Sequence, residues 1–333
     1  MNKFERDDSI DIMKGIGILC MVMAHVYYGR YFDHLVHAFH MPLFFFASGY
    51  LTQKLKCNRI DFFRKFKKVM IPYYFWGVLI ITIDSFFKNI SWTKSIYHLL
   101  WENSSDLYDA GPLWFLSAYY ISGLIFNIIM VNVKNKYLSY ITIIIISLFG
   151  ITVNTILGSR LPMSLDVAMV SSGFWLTGYF IKNHKEQPYI GIILNMKWYI
   201  IFCLSIVICG LIFVNGYVNL RLNEYSNIIL FWINAICSIL LILSISKKLE
   251  TYTRNTSNKF FAMIANFLKI LSKSSMVFLC TNKIVIEILN RFWNSVSTNF
   301  LIGRVFITCV TVIICISIEK IVVKLKLNIL VGK

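Results

Sequence analysis

The stretch IDIMKGIGILCMVMAHVYY, residues 10–28, is an apolar run that approaches the length of a bilayer span yet contains Asp11, Lys14 and His25. Lys14 and His25 are 11 residues apart. In an α-helix they therefore share one face within about 20° and lie about 16 Å apart along the axis. Asp11 falls near the same face. Because ionisable groups in a membrane helix are costly, this stripe predicts a segment that lines a buried pathway or site.

The composition predicts an integral membrane protein. Of the 333 residues, 57% are hydrophobic and 15% are charged, and the mean hydropathy is +0.66, whereas soluble domains are about 45–50% apolar. The net charge of +17 does not indicate nucleic-acid binding, because the basic residues cluster in short loops between apolar runs. We expect the first apolar run to remain in the protein, since it follows Asp7 and Asp8 and has no small-residue cleavage site.

The apolar segments predict an all-α, polytopic membrane helix bundle with about ten transmembrane helices, since a span needs about 17–25 apolar residues. Their approximate limits are 12–30, 35–53, 69–87, 112–133, 137–157, 165–182, 197–214, 227–246, 275–293 and 301–320. Every connecting loop is shorter than a typical soluble domain of about 50 residues or more. Residues 1–333 are therefore predicted to form a single membrane-embedded domain.

The loop charges predict the orientation of the bundle. Loop 54–68 contains seven Lys and Arg residues and loop 247–273 contains six. The alternating loops 88–111, 158–164 and 215–226 contain two, one and one. This alternation places both termini and the basic loops in the cytoplasm of a multi-pass protein of the cytoplasmic (inner) membrane.

The predicted outer loop 88–111 combines aromatic and acidic residues. These residues are Trp92, Tyr97, Trp101, Tyr108, Glu102, Asp106 and Asp109. Aromatic rings and carboxylates together suit a hydroxyl-rich ligand such as a sugar, but an aromatic belt at the membrane interface is the favoured interpretation of the rings.

His25 is the leading candidate for chemistry, because an imidazole exchanges a proton with a hydroxyl near neutral pH. The alternative is a buried histidine satisfied by a carbonyl group. His34, His37 and His40 follow at the outer start of the second predicted span, and this cluster favours a site. A zinc site is the less favoured interpretation of the histidines, because Asp33 is the one Cys, Asp or Glu residue at a suitable spacing from them. The cysteines, seven of eight in apolar runs with only Cys57 in a polar loop, show no metal spacing, so we expect no metal.

Four blocks of sequence carry a family resemblance. They are IDIMKGIGILCMVMAHV at 10–26, FHMPLFFFASGYL at 39–51, FFRKFKKVMIPYYFW at 62–76 and GPLWFLSAYY at 111–120. In this order and spacing they resemble the acyltransferase family 3 membrane proteins, in particular the fucose 4-O-acetylase-like sugar acetyltransferases. The resemblance covers essentially the whole chain. It implies an O-acyltransferase that moves an acetyl or other acyl group from cytoplasmic acyl-CoA, such as acetyl-CoA, to a hydroxyl of an extracytoplasmic or lipid-linked glycan of the cell surface.

The resemblance also implies roles for individual residues. His25 matches the essential histidine of the first span and would act as general base or acyl carrier. Lys14 stands where many members have arginine, and Lys65 and Lys68 stand where relatives have arginines, so these three are the expected CoA-phosphate ligands. Trp114 belongs to the Trp-Phe-Leu element of the fourth span. Lysine keeps the charge of arginine but loses its bidentate grip on phosphate.

Further residues are expected to support the site. The small face around Ser48 lets helices approach closely, with Gly15 and Gly17 as the facing surface. The supporting set is Asp11, His40, Ser48 and Trp114, with Ser48 and Tyr50 as candidate hydrogen-bond donors and Asp11 expected to pair with Lys14 or Arg6.

One late segment departs from the family pattern. SSMVFLCTNK at 274–283 has Asn282 where relatives usually have histidine, and Lys283 and Glu287 are spaced for an ion pair. The alternative function is a transporter or flippase of a lipid-linked saccharide, but the paired helix breaks typical of transporters are missing from a chain with five prolines. A sensor or scaffold of a surface-polymer assembly is a third interpretation.

Overall fold

The computed structural model describes residues 7–53, 55, 59–101, 107–254, 259–296 and 300–333. Within these residues the chain forms fourteen α-helices, three short 3-10 helices and one antiparallel hairpin of two-residue strands. The α-helices are α1 Asp8–Val26, α2 Arg30–His37, α3 His40–Leu51, α4 Arg59–Lys88, α5 Trp92–Leu100, α6 Trp114–Asn132, α7 Lys136–Leu157, α8 Leu165–Asn183, α9 Pro188–Leu194, α10 Trp198–Asn215, α11 Ile228–Arg254, α12 Lys259–Lys273, α13 Ser275–Val296 and α14 Phe300–Lys324. The strands are β1 Val218–Asn219 and β2 Glu224–Tyr225, and the 3-10 helices are Gly111–Leu113, Pro162–Ser164 and Asn328–Val331. The all-α bundle is confirmed.

Seven of these helices are long and apolar enough to cross a membrane, or up to eight if the bent pair α12 and α13 counts as one span. The seven are α1, α4, α6 with its preceding 3-10 turn, α7, α10, α11 and α14. They coincide with seven of the ten predicted spans, and the chain is a multi-pass membrane protein. The number ten remains a prediction.

The predicted span 35–53 is wrong as one continuous helix. It consists of α2 and α3, which are separated at Ala38 and Phe39, and Phe39 has non-helical dihedrals of φ −140° and ψ −23°. Pro42 gives the physical reason, because its ring would clash with the carbonyl group four residues earlier, at Ala38, and it has no N–H to bond there. Proline is tolerated in the first turn of α3.

The other two predicted spans form helices of mixed composition. The segment 165–182 is α8, whose Asp166 is fully buried. The segment 275–293 is α13, which carries Lys283, Glu287 and Arg291 and follows α12 at an angle of 82°. A helix needs apolar side chains only where it faces lipid. A helix packed among other helices can therefore carry buried polar and charged residues and be less apolar than a lipid-facing span.

Close helix contacts hold α1 and α3 in the centre of the bundle. A Cβ at Gly49 would lie 1.8 Å from the main-chain oxygen of Trp175, and one at Gly15 would lie 2.1 Å from that of Leu268. Only glycine allows such approach. The predicted facing surface is therefore correct for Gly17, which lies against Phe44 and Leu43 of α3, and wrong for Gly15, which packs on α12.

The first helix begins and ends earlier than its predicted limits of 12–30. Tyr27 adopts a left-handed conformation with φ 65°, and its amide donates to the carbonyl groups of Met23 and Ala24. This turn ends α1 at Val26 and leaves His25 in the last helical turn. The ionisable stripe thus extends from the first turn of α1 to its last.

Candidate active site

A cavity of about 380 Å³ lies at the C-terminal end of α1. Its walls come from α1, α2, α3, the 3-10 turn before α6, the hairpin loop and α13. Its polar lining residues are His25, His37, His40, Asp33, Tyr217, Asn219, Arg221 and Lys283. We call it the histidine cavity. It brings His25, His40 and Trp114 of the predicted site together.

His25 is held by Asn282 of α13. The Nδ1 atom of His25 lies 2.5 Å from Oδ1 of Asn282, while Nδ2 of Asn282 donates to the main-chain oxygen of Phe278 at 2.5 Å. Because the amide N–H group is directed at a carbonyl group, its oxygen must accept from the imidazole, so Nδ1 of His25 carries the hydrogen. The Nε2 atom then keeps its lone pair, which is the form that a general base requires.

His37 and His40 lie side by side although they belong to different helices. Their ring centroids are 5.1 Å apart. Nδ1 of His37 lies 3.1 Å from the carboxylate of Asp33, and Nδ1 of His40 bonds to the main-chain oxygen of Val36 at 2.8 Å. Because the chain breaks between the two histidines, they do not share one helix face, but both line the histidine cavity.

A second cavity of about 520 Å³ contains all three lysines expected to bind CoA. We call it the basic cavity, defined by Lys14 of α1 and Lys65 and Lys68 of α4. The surrounding walls are largely aromatic and include Phe44, Phe115, Tyr119, Tyr120 and Trp175. Gly332, near the end of the chain, also lines this cavity. The end of the bundle that the loop charges predict to be cytoplasmic therefore holds the lysines.

Ser48 lines the basic cavity and not the histidine cavity. Its hydroxyl bonds to the hydroxyl of Tyr119 at 2.8 Å and to the main-chain oxygen of Phe44 at 2.9 Å. Tyr50 is buried beneath the ammonium group of Lys182, 4.6 Å from the ring centroid, and lines neither cavity. Of these two candidate donors, only Ser48 is in place to meet a ligand.

Asp11 lines neither of the two cavities. Its carboxylate lies 3.0 Å from Nζ of Lys14 and accepts a hydrogen bond from Ser272 at 3.1 Å. The predicted pairing with Lys14 is thus present, and Arg6 lies outside the described residues. Through this contact Asp11 restricts Lys14 at the edge of the basic cavity.

The loop between α10 and α11 supplies site residues that the sequence did not single out, namely Tyr217, Asn219 and Arg221. The main-chain oxygen of Arg221 accepts from Nη2 of Arg160 at 3.0 Å, and Arg160 is paired with the buried Asp166 at 2.5 Å. In the sequence, Arg160 and Arg221 are the single basic residues of loops 158–164 and 215–226. They were counted there only to predict the orientation of the bundle in the membrane. Burial, with Asp33 acting in the same direction, raises the pKa of Tyr217 to about 12, so its hydroxyl remains a hydrogen-bond donor.

The predicted ion pair between Lys283 and Glu287 is wrong. Glu287 pairs with Nε of Arg291 at 3.4 Å, one turn farther along α13. Lys283 lines the histidine cavity. The spacing i, i+4 allows either Lys283 or Arg291 as the partner of Glu287, so spacing alone does not decide between them.

The alternative interpretation of loop 88–111, a carbohydrate site, is not supported. Asp109 is buried and accepts from Nζ of Lys88 at 2.6 Å, and Lys88 also lies 3.2 Å from Asp84. Trp92, Tyr97, Trp101 and Tyr108 are exposed and line neither cavity, as expected of an interfacial belt. Glu102 and Asp106 lie outside the described residues, as do Lys54, Lys56 and Cys57 of the second loop.

In the part of the chain that the structure describes, no group of three or more His, Cys, Asp or Glu side chains is placed to hold a metal ion. The three histidines of the histidine cavity instead have protein partners at Nδ1.

A family model and two curated relatives match this chain. A family model described as an acyltransferase domain, Acyl_transf_3, matches residues 7–320. Nodulation protein NolL of Mesorhizobium japonicum is 27% identical over 219 residues, which cover 60% of this chain and 54% of the relative. Nodulation protein NolL of Sinorhizobium fredii is 30% identical over 170 residues, covering 45% and 44%. The matches thus span about half the length of these curated relatives. No solved structure gives a significant match.

Proposed function

Since this chain belongs to the acyltransferase 3 family of membrane enzymes, we propose that it transfers an acetyl, or another small acyl, group from acyl-CoA to a hydroxyl group of a glycan. The observation that carries the proposal is the arrangement of two adjoining cavities. One contains three lysines, and the other contains a histidine with a free ring nitrogen. We place the enzyme in the cytoplasmic membrane as one acyltransferase domain over residues 1–333, with both termini in the cytoplasm.

The basic cavity is the proposed donor site. Lys14, Lys65 and Lys68 converge from two helices, and ammonium groups bind phosphate oxygens as point charges. Lys65 and Lys68 are exposed and so reach solvent, where the charged end of acyl-CoA would arrive. The aromatic walls suit the adenine ring and the pantetheine arm, which would direct the thioester toward His25.

The histidine cavity is the proposed acceptor site. Asp33, Tyr217 and Asn219 present oxygen and nitrogen atoms to the cavity that suit the hydroxyl groups of a sugar. Trp114 supplies an apolar face against which a sugar ring packs. We propose an extracytoplasmic or lipid-linked saccharide, such as a surface polysaccharide or its precursor, as the acceptor.

The proposed chemistry centres on Nε2 of His25. This atom accepts the proton of the acceptor hydroxyl while the hydroxyl oxygen attacks the thioester carbonyl carbon. The carbon–oxygen bond forms, the carbon–sulfur bond breaks, and the proton passes from His25 to the CoA thiolate. An acyl-histidine intermediate formed on the same nitrogen is the other allowed sequence of steps.

Asn282 and Asp11 support this chemistry from opposite ends of α1. Asn282 holds the His25 ring in one tautomer, and Asp11 holds Lys14 in the basic cavity. His40 lies beside the reactive group, and Ser48 lies in the donor cavity. The transporter interpretation lacks support, because the matching family is one of acyltransferases.

The test of the proposed function is His25→Ala. We expect a loss of glycan O-acetylation by a factor of about 10²–10⁴, the usual contribution of a general base. The measurement is base-labile acetate on the glycan of producing cells, normalised to the amount of variant protein in the membrane. His184→Ala is the matched control, because His184 is partly exposed just after α8 and lines neither cavity. Normal acetylation by the His25 variant would refute the proposal.

A further inference from the structure

Leu279 of α13 forms part of the wall of both cavities. Among the residues that the structure describes, it is the one side chain that the basic cavity and the histidine cavity share. It is 6% exposed. The boundary between the two cavities therefore passes through this leucine.

The face of α13 runs from one cavity to the other. Met276 lines the basic cavity, Leu279 lines both, and Lys283 lines the histidine cavity. Spacings of three and four residues place these side chains on one helix face over about 10 Å. The helix thus carries an apolar group at the crossing point and an ammonium group beyond it.

Leu279 also lies close in sequence to the group that positions His25. Asn282, which bonds to His25 at 2.5 Å, is three residues farther along the same helix. On α6, Trp114 lines the histidine cavity while its neighbour Phe115 lines the basic cavity. A thioester that moves from the basic cavity to His25 would therefore cross the boundary that Leu279 forms between the two cavities.

We propose that Leu279 is the partition between the donor and acceptor cavities and that its size selects the acyl groups that reach His25. This inference rests on the proposed function. In the closed arrangement the leucine keeps water on the acceptor side away from the thioester. When acyl-CoA binds, the acyl group displaces the leucine side chain, which has staggered rotamers available and cavities on two sides.

The partition explains how transfer to a sugar competes with hydrolysis. Both reactions break the same carbon–sulfur bond and return one proton to the CoA thiolate. They differ in whether the attacking oxygen belongs to a hydroxyl of the glycan or to water. An apolar side chain at the crossing point, packed beside the acyl group after it has been displaced, excludes water there, so transfer to the sugar is favoured over hydrolysis.

The experiment compares Leu279→Ala and Leu279→Phe with the wild type, using the purified full chain. The probes are acetyl-CoA and butyryl-CoA without glycan, and the readouts are release of CoA thiol and the thermal shift produced by each donor. We expect Leu279→Ala to raise acceptor-free CoA release about tenfold and to raise the butyryl-to-acetyl rate ratio about tenfold. We expect Leu279→Phe to lower release at least tenfold while acetyl-CoA stabilises the protein as before.

Leu271→Ala is the matched control, because Leu271 is fully buried on α12 and lines neither cavity. It should leave the butyryl-to-acetyl ratio unchanged. If Leu279→Ala does not fold, Leu279→Val takes its place. It must then raise the butyryl-to-acetyl rate ratio as well, by a smaller factor. Unchanged ratios in chains that acetyl-CoA still stabilises would overturn the inference alone. A wild-type chain that acetyl-CoA does not stabilise would overturn the proposed function and the inference with it.

Discussion

Replacing Asn282 with leucine removes the group that bonds to Nδ1 of His25 and nearly preserves side-chain volume. The amide oxygen that accepts from Nδ1 at 2.5 Å is lost, as is the bond from Nδ2 to the main-chain oxygen of Phe278. The imidazole is then free to rotate or to carry its hydrogen on Nε2. Either change removes the lone pair from the position where the acceptor hydroxyl would meet it.

The magnitude follows from the strength of such contacts. One neutral hydrogen bond contributes about 0.5–1.5 kcal/mol. Partners that fix the orientation of a functional imidazole in metal sites change activity about 10–100-fold when they are removed. By the same reasoning we expect kcat of Asn282→Leu to fall about 10–100-fold, which is about 1.4–2.7 kcal/mol. KM for acetyl-CoA should not change, because the lysines line the other cavity.

The assay is release of CoA thiol from acetyl-CoA by purified protein, with O-acetylation of the glycan in producing cells as the second readout. Asn282→Asp keeps an acceptor oxygen and should retain more activity than the leucine variant. Asn234→Leu is the matched control, because Asn234 is buried, donates to the main-chain oxygen of Leu211 at 3.2 Å, and lines neither cavity.

A kcat for Asn282→Leu within threefold of the wild type would refute the assigned role of the hydrogen bond. A raised KM for acetyl-CoA with unchanged kcat would also refute it, since this pattern indicates lost donor binding. Equal losses in Asn282→Leu and Asn234→Leu would show that the effect comes from removing any buried amide.

Two further predictions concern the two cavities separately. Lys68→Ala should weaken acetyl-CoA binding about 10–100-fold, as expected when a charge-assisted hydrogen bond of about 1.5–3 kcal/mol is lost. The thermal shift with acetyl-CoA should fall accordingly. The control is Lys67→Ala, which should keep the full shift because the Lys67 side chain lines neither cavity. Equal shifts in the two variants would show that Lys68 does not belong to the donor site. Gly111→Ala should displace Arg221, because Nη2 of Arg221 lies 2.5 Å from a Cβ placed at Gly111. We expect this variant to lower glycan acetylation without changing the thermal shift with acetyl-CoA. A reduced shift would show that the damage extends beyond the acceptor cavity.

The sequence predicted helices well where hydropathy alone decides them. The run at 10–28 is helical as far as Val26, and its ionisable stripe does line cavities, with Lys14 in the basic cavity and His25 in the histidine cavity. These inferences succeeded because helical periodicity is a local property. The ionisable stripe was visible for the same reason.

Prediction from sequence failed where the surroundings of a helix decide its composition. The buried helix α8 contains Asp166, and α13 contains Lys283. Local composition does not show whether a helix is enclosed by protein or by lipid. The break before α3 is different, because Pro42 was a visible signal for it that the apolar run obscured.

The site itself depends on contacts between distant parts of the chain. His25 and Asn282 are separated by 257 residues, and Arg221 reaches the histidine cavity through a loop held by Arg160. No spacing rule joins such positions in a single sequence. The resemblance marked His25 as essential but gave Asn282 only as a departure from the family pattern.

Asn282 differs from a histidine in the hydrogen-bonding groups that it offers to His25. A histidine at position 282 would present either a donor or an acceptor to His25, depending on its own tautomer and protonation. An amide whose N–H group is bound to the main-chain oxygen of Phe278 presents only its oxygen. It therefore fixes the hydrogen on Nδ1 of His25 at any pH at which the imidazole is neutral. On this reasoning Asn282 is a permanent acceptor where a histidine would be a titrating partner, so it holds His25 in its basic form without a second titratable group.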